Sequence, residues 1–178
     1  MSKTYVLDSD ILIDFARGVD EAIAWVQTHR DKGDMLTTTW INSCELLRGA
    51  YATGSQKEIL AIRSLLSSLF IVLPTTGTSE LYAQIYSRLK KKGDLVNDFD
   101  ILIAATAAEN DAIFVSNDNG FEKITELKLE KWRLRIKDYI GILPKETSAE
   151  RKNLKKRRES FSRDVEERRK KLDRQREN

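Results

Sequence analysis

The chain has 178 residues, 33% of them Asp, Glu, Lys or Arg and 40% hydrophobic, which is enough for one buried core plus an extension. A single cysteine, Cys44, and a single histidine, His29, exclude an intrachain disulfide, a histidine-built metal site and a Ser-His-Asp triad. No apolar run nears the roughly 20 residues of a membrane span and no signal-peptide pattern opens the chain, so a protein of the reducing cytoplasm, away from membranes, is expected. The net charge of +3 is uneven: residues 145–178 carry 14 Lys/Arg against 8 Asp/Glu, while the other 144 carry 17 against 20.

Residues 4–7, TYVL, read as a short buried strand, and DILIDFARG then takes helical spacing through Ile11 and Phe15 to Gly18. A second helix is predicted over 20–30 with Asp20 as its N-cap, followed by a strand at 35–39, MLTTT, and a helix from Trp40 that stops at Gly54. Ser55 and Glu58 form a capping-box pattern opening the next helix, which leads to a strand at 70–74. A helix over 79–93 ends in a basic turn and glycine, and the apolar stretch 98–111 reads as a core helix. Strands follow at 112–116 and 132–136. Helices alternating with strands predict an α/β three-layer sandwich around a central parallel sheet of about five strands, over residues 1–144. Thr147 and Glu150 open a charged helical tail over 145–178, whose apolar stripe of Leu154, Phe161, Val165 and Leu172 is too thin for a self-sufficient coiled coil.

Open parallel sheets bind ligands outside the carboxyl ends of their strands. Four segments deliver carboxylates there: Asp8 after the first strand, Glu45 in the helix after the second, Asp100 at the start of the core helix, and Asp118 after the fourth. Four bare anions in one small site repel one another, so either protons or cations must sit among them. Oxygen-only donors select hard ions, Mg²⁺ or Mn²⁺, which can polarise a phosphodiester and activate water. Read singly, these residues have plainer roles. Asp8 serves equally as a helix N-cap, Asp10 and Asp14 as cap or surface residues, and Asp118 as a turn residue, while Asp98 competes with Asp100 to cap the core helix. His29 reads as a solvated helix-end residue, and Trp25, Trp40 and Trp132 as core.

The stretches YVLDSDILIDF, TTTWINSCELLRGA, NDFDILIAATA and FVSNDNGFEKI resemble, in order and spacing, the successive acidic motifs of PIN-domain ribonucleases, with the greatest likeness to the toxins of VapBC-type toxin–antitoxin pairs. The resemblance covers residues 4 to about 136. It implies that Asp8, Glu45, Asp100 and Asp118 are the catalytic metal ligands for Mg²⁺ or Mn²⁺, with Ser9, Asp10, Asp98 and Ser116 supporting them. It implies an RNA substrate, a cognate antitoxin and a homodimer. Arg88, Lys90, Lys91 and Lys92, by default a favourable helix C-terminus, are candidate RNA contacts. The basic tail is a departure from the family pattern. Two other readings compete. VLDSDIL with GDLVND (93–98) also resembles the acidic motifs of haloacid-dehalogenase-type phosphatases, where Asp8 would be the nucleophile and Asp10 the acid/base. A non-catalytic RNA- or protein-binding domain is the other.

Overall fold

The structure is a computed structural model that describes residues 2–133; the expected tail and the boundary at 144 lie outside the described residues. Strands β1 (Thr4–Leu7), β2 (Met35–Thr39), β3 (Phe70–Val72), β4 (Ile113–Val115) and β5 (Lys128–Glu130) form one parallel sheet in the order β3-β2-β1-β4-β5. Parallel neighbours require crossovers. These are supplied by helices α1 (Ser9–Ala16), α2 (Asp20–Asp31), α3 (Trp40–Thr53), α4 (Gln56–Ser67), α5 (Thr76–Lys92) and α6 (Asp98–Glu109).

The central strand β1 is apolar on both sides because both of its faces are covered. Tyr5 and Leu7 join a core with Ile11, Val26, Leu46 and Ile62, and Val6 joins the opposite core with Ile85, Leu89, Ile101 and Phe114. Each fully buried Ile or Leu in these cores contributes roughly 2 kcal/mol by leaving water. The neighbouring β2 is built of threonines, and burial of their hydroxyls is tolerated because they are satisfied: Thr37 donates to the Tyr5 carbonyl and Thr38 to that of Leu7, each at 2.8 Å. Helix α6 is buried on several sides, as its composition predicts, with Ile101, Ile103, Ala104, Ala105 and Ala107 all inaccessible.

Several local expectations are corrected. Val19, not Asp20, holds the N-cap position of α2; Asp20 is the first helical residue, where its charge faces the positive end of the helix. Helix α5 starts three residues earlier than predicted because Thr75 and Thr78 form a full capping box, and both hydroxyls donate to Glu109 of α6. The fifth strand is Lys128–Glu130, while Trp132 and Arg133 lie in a bend and 134–136 fall outside the described residues. The bend follows from side-chain ties: Trp132 Nε1 donates to Asp10 and Arg133 pairs with Asp14. His29 is buried rather than solvated, stacked on Trp25 at 4.0 Å and edge-on to Tyr5 at 4.5 Å. Trp132 is core and Trp25 half-buried, but Trp40 is 51% exposed, on the face of α3 that also carries exposed Cys44 and Arg48.

Candidate functional site

The strand order changes direction between β1 and β4, since the chain winds outward through β2 and β3 and then returns to build β4 and β5 on the other side. The crevice beyond the carboxyl ends at such a reversal is the natural ligand site of an open α/β sheet. Asp8 leaves β1 there, Ser116 to Asp118 leave β4, and Thr39 at the end of β2 passes directly into α3.

Asp8 is 7% exposed and caps α1: its Oδ1 accepts from the Ser9 amide at 2.7 Å and from Asn42 Nδ2 at 2.8 Å. The cap and site roles weighed for Asp8 are therefore compatible. Ser116, fully buried, bonds to the same carboxylate and accepts from the Asp118 amide at 3.0 Å. Ser9 Oγ donates to Glu45 Oε2 at 2.7 Å, which links the first acid to the second. Asn42 holds this pair in place. It is inaccessible to solvent, accepts from the Thr39 hydroxyl at 2.6 Å, and donates to both Asp8 and, at 3.1 Å, Ser9 Oγ. Sequence reasoning missed Asn42. The available signal was an amide three residues before Glu45, hence on the same helix face, among the buried Ile41, Leu46 and Ala50.

Burial, with Asp10 and Glu45 nearby, pushes the Asp8 carboxyl up to about 7 despite hydrogen bonds from Ser116 and Ser9. Burial also raises Asp100, and the charges of Asp118 and Glu45 push it further. Glu45 thus repels both Asp8 and Asp100, and Asp118 repels Asp100, so one chain of like charge runs through all four acids. Among the described residues none of the four is ion-paired with a Lys or Arg side chain. Lys131 reaches only the backbone carbonyl of Asp118, at 2.9 Å. Asp118 is exposed and caps the 3₁₀ turn Asn119–Lys123 through the Gly120 amide at 2.7 Å, so its turn role is also real.

The neighbouring acids divide differently. Asp98 is exposed and accepts from the Tyr82 hydroxyl at 3.1 Å, and neither it nor Asp100 caps α6, because Asn97 does. Asp10 is neither cap nor surface residue: its carboxylate accepts from the Ile11 amide, the Asn117 amide at 2.8 Å and Trp132 Nε1 at 3.2 Å, tying α1 to the loop after β4. Asp14 is half-buried and pairs with Arg133 Nη2 at 2.6 Å. A carboxylate engaged by three donors is poorly placed as an acid/base, and residues 93–97 form the loop between α5 and α6 rather than a strand end. The phosphatase reading has no structural support. Of the basic residues, Arg88 is engaged by Glu126 at 2.9 and 2.6 Å, Lys90 lies over the Tyr86 ring at 5.8 Å, and Lys91 and Lys92 are exposed.

Among the described residues, no three Asp, Glu, His or Cys side chains stand close enough to enclose an ion unaided. The donor chemistry nevertheless fits a hard cation. Mg²⁺ commonly takes only one or two protein carboxylates and keeps waters elsewhere, and an all-oxygen cluster without cationic partners offers those pairs. A groove of about 280 Å³ between α1, α3 and α4, lined by Ile13, Ala16, Leu46, Ala50 and Ile62, opens beside Glu45. No described helix is long and apolar enough to cross a membrane.

Comparisons with known proteins agree with this geometry. The family model described as PIN domain matches residues 5–127. Ribonuclease VapC2 of Haemophilus influenzae is 30% identical over 130 residues, covering 72% of this chain and 97% of that protein. Ribonuclease VapC1 from the same species is 27% identical over 130 residues with the same coverage. The solved structure of VapBC-1 from nontypeable Haemophilus influenzae superposes with a TM-score of 0.64 at 26% identity, covering 72% of this chain and 98% of that one. The chain belongs to the PIN domain family, in its VapC ribonuclease branch.

Proposed function

We propose that this chain is a Mg²⁺- or Mn²⁺-dependent endoribonuclease, the toxin of a toxin–antitoxin pair, acting on RNA in the cytoplasm. One observation carries the reading: Asp8, Glu45, Asp100 and Asp118 form a chain of mutually repelling carboxylates at the switch point, with no described Lys or Arg paired to them. These four, engaging it in pairs with water completing its shell, would hold the cation, which would supply the charge that polarises a phosphodiester and activates water. Residues of the chain do the positioning. Asn42 and Ser116 orient the Asp8 carboxylate, and the Ser9 hydroxyl holds Glu45 Oε2 toward the same crevice. Asp10 fixes the loop after β4, so that Asp118 stays at the crevice mouth. Lys90, Lys91 and Lys92, at the end of α5 that leads into α6, add attraction for phosphate.

A cognate antitoxin and a second copy of the chain belong to the same proposal. The apolar groove beside Glu45 suits a segment of the antitoxin. The test is incubation of the purified protein with total RNA, with and without Mg²⁺, followed by mapping of the cut ends. Cleavage should require the ion and disappear in Asp8→Ala. Cleavage by Asp8→Ala at the wild-type rate would refute the metal role of this residue. A pull-down from the native host should recover a small companion protein.

A further inference from the structure

Helix α5 carries a polar side that the core does not use. Ile85 and Leu89 are buried in the core, while Gln84, Ser87, Arg88, Lys91 and Lys92 recur at the three- and four-residue spacing of one helix side and line an open groove of about 630 Å³. Among the described residues the lining of this groove includes no carboxylate.

The basic run at the end of α5 is sorted by its neighbours. Arg88 is spent on Glu126, with contacts of 2.9 and 2.6 Å, and its Nη1 donates to the Lys123 carbonyl at 3.4 Å. That latch pins the end of the 3₁₀ segment Asn119–Lys123 to the groove wall, with Lys123 exposed beside it. Glu122, next to Lys123, is paired with Lys131 at 3.2 Å. Lys90 lies over the Tyr86 ring and is not part of the groove lining. Lys91, Lys92 and Lys123 are exposed, and their side chains enter no ion pair among the described residues.

Two short connections join this surface to the acidic crevice. Residues 93–97 lead from Lys92 to the first turn of α6, which carries Asp100. The 3₁₀ segment leads from Asp118 to Lys123, about 10 Å at a rise of roughly 2 Å per residue. Asp100 feels the charge of Asp118, so both connections start from one half of the crevice. The apolar groove between α1, α3 and α4 is a separate surface, on the Glu45 side. A cation already paired with a carboxylate must give it up to bind a phosphate, whereas an unpaired lysine releases only counterions. Resting on the RNA-cleaving reading above, we infer that Lys91, Lys92 and Lys123 form a phosphate-binding track, with Gln84 and Ser87 as hydrogen-bond donors, that holds the RNA backbone on the Asp100 and Asp118 side of the crevice. Such holding is independent of base sequence and weakens with salt.

The experiment uses the full chain with Lys91→Gln, Lys92→Gln and Lys123→Gln combined. The control combines Lys3→Gln, Arg30→Gln and Lys32→Gln, which remove the same charge from exposed positions away from the groove. The probe is a single-stranded oligouridylate of about 20 nucleotides, longer than one typical single-strand site. In EDTA the groove variant should bind about tenfold more weakly than wild type, or worse. Its slope of log affinity against log salt should be shallower by about 2, since each lost phosphate contact removes about 0.7. With Mg²⁺, KM should rise by the same factor while kcat stays within about twofold, the signature of lost ground-state binding. The control should show a smaller loss of affinity. Arg at all three groove positions keeps the charge and should restore binding.

A groove variant with unchanged affinity and salt slope would overturn the inference, as would an equal loss in the control or a loss confined to kcat. An Arg variant as weak as the Gln one would exclude electrostatic holding and overturn it too. If the wild type cleaves RNA with Mg²⁺ and the groove variant matches it in KM, the track falls and the nuclease reading stands. If binding depends on the three lysines but Mg²⁺ brings no cleavage, the nuclease reading fails and the track stands.

Discussion

The two ends of the sheet treat a carboxylate in opposite ways. At the amino end Asp34, between α2 and β2, accepts from the Lys3 amide at 2.9 Å and lies 2.9 Å from Nδ1 of buried His29. Those partners hold its carboxyl below the usual range. At the carboxyl end Asp8 also accepts good hydrogen bonds, yet its carboxyl rises to about 7 because it is buried and its charged neighbours are Asp10 and Glu45. Hydrogen bonds alone do not decide the state of a buried acid; desolvation and the sign of the nearest charge do. The amino end is therefore a finished structural clasp. The carboxyl end favours an added proton or cation, the environment expected of a candidate working end.

The largest test of this contrast is Asp8→Asn. Mg²⁺-dependent cleavage should fall to background. In EDTA the same variant should be more stable than wild type, because a raised carboxyl favours the neutral fold. The stabilisation from a protonated Asp8 is complete below about 4 and lost as pH rises through about 7. The displacement from 3.8 to about 7 corresponds to roughly 4 kcal/mol at most. Urea unfolding at pH 8 should show most of that gap, and at pH 4 little of it. Added Mg²⁺ should raise the wild-type Tm and leave that of the variant in place. A variant no more stable than wild type at pH 8 would remove the uncompensated-charge account.

Asn42→Leu comes next. It keeps the volume of the side chain but strips Asp8 and Ser9 of their shared donor, as loss of a group behind metal ligands does elsewhere at a cost of about 10–100-fold in activity. Cleavage within about twofold of wild type, by a variant with unchanged circular dichroism, would show that Asn42 only fills space. His29→Leu probes the other end. It loses the stack on Trp25 and the bond to Asp34, and should cost about 2 kcal/mol of stability while kcat stays at the wild-type value. A drop in kcat without loss of stability would mean that the two ends are coupled.

The same contrast explains what could be read from the chain. Strand and helix order was legible because buried parallel strands such as TYVL and capped helices such as the one after Ser55 are local patterns. The placement of the acids was legible in part: Asp8 and Asp118 leave the ends of β1 and β4, and Glu45 and Asp100 lie within α3 and α6, while their joint role is the proposal made above. Asn42 was not, since its role depends on Asp8, which is 34 positions away in sequence and adjacent only across two strands. His29 was misread for the same reason: its charged sequence neighbours suggest solvent, whereas Tyr5 and Trp25, brought by β1 and by the preceding turn of α2, enclose it. The fifth strand was displaced because the pull of Asp10 and Asp14 on Trp132 and Arg133 is invisible to periodicity.

The smallest predicted effect completes the pair. Asp34→Asn retains the shape of the side chain and one acceptor, so the Lys3 amide can remain bonded, but it removes the charge that faces His29. The folded carboxyl of Asp34 is lowered, by the Lys3 amide first and by His29 second, so its contribution has the opposite sign to that of Asp8. It is present above the unfolded value near 4 and lost as pH falls through the lower, folded value. The stability gap between wild type and Asp34→Asn should therefore be widest near neutral pH and close on acidification, as read from urea midpoints at pH 7, 5 and 3. The gap for Asp8→Asn closes over a higher interval, as pH falls from about 7 to about 4, with the variant as the more stable partner above it. A gap for Asp34→Asn that widened toward pH 3 would mean that the clasp is held by shape and stacking, and that charge distinguishes the two ends only at the acidic one.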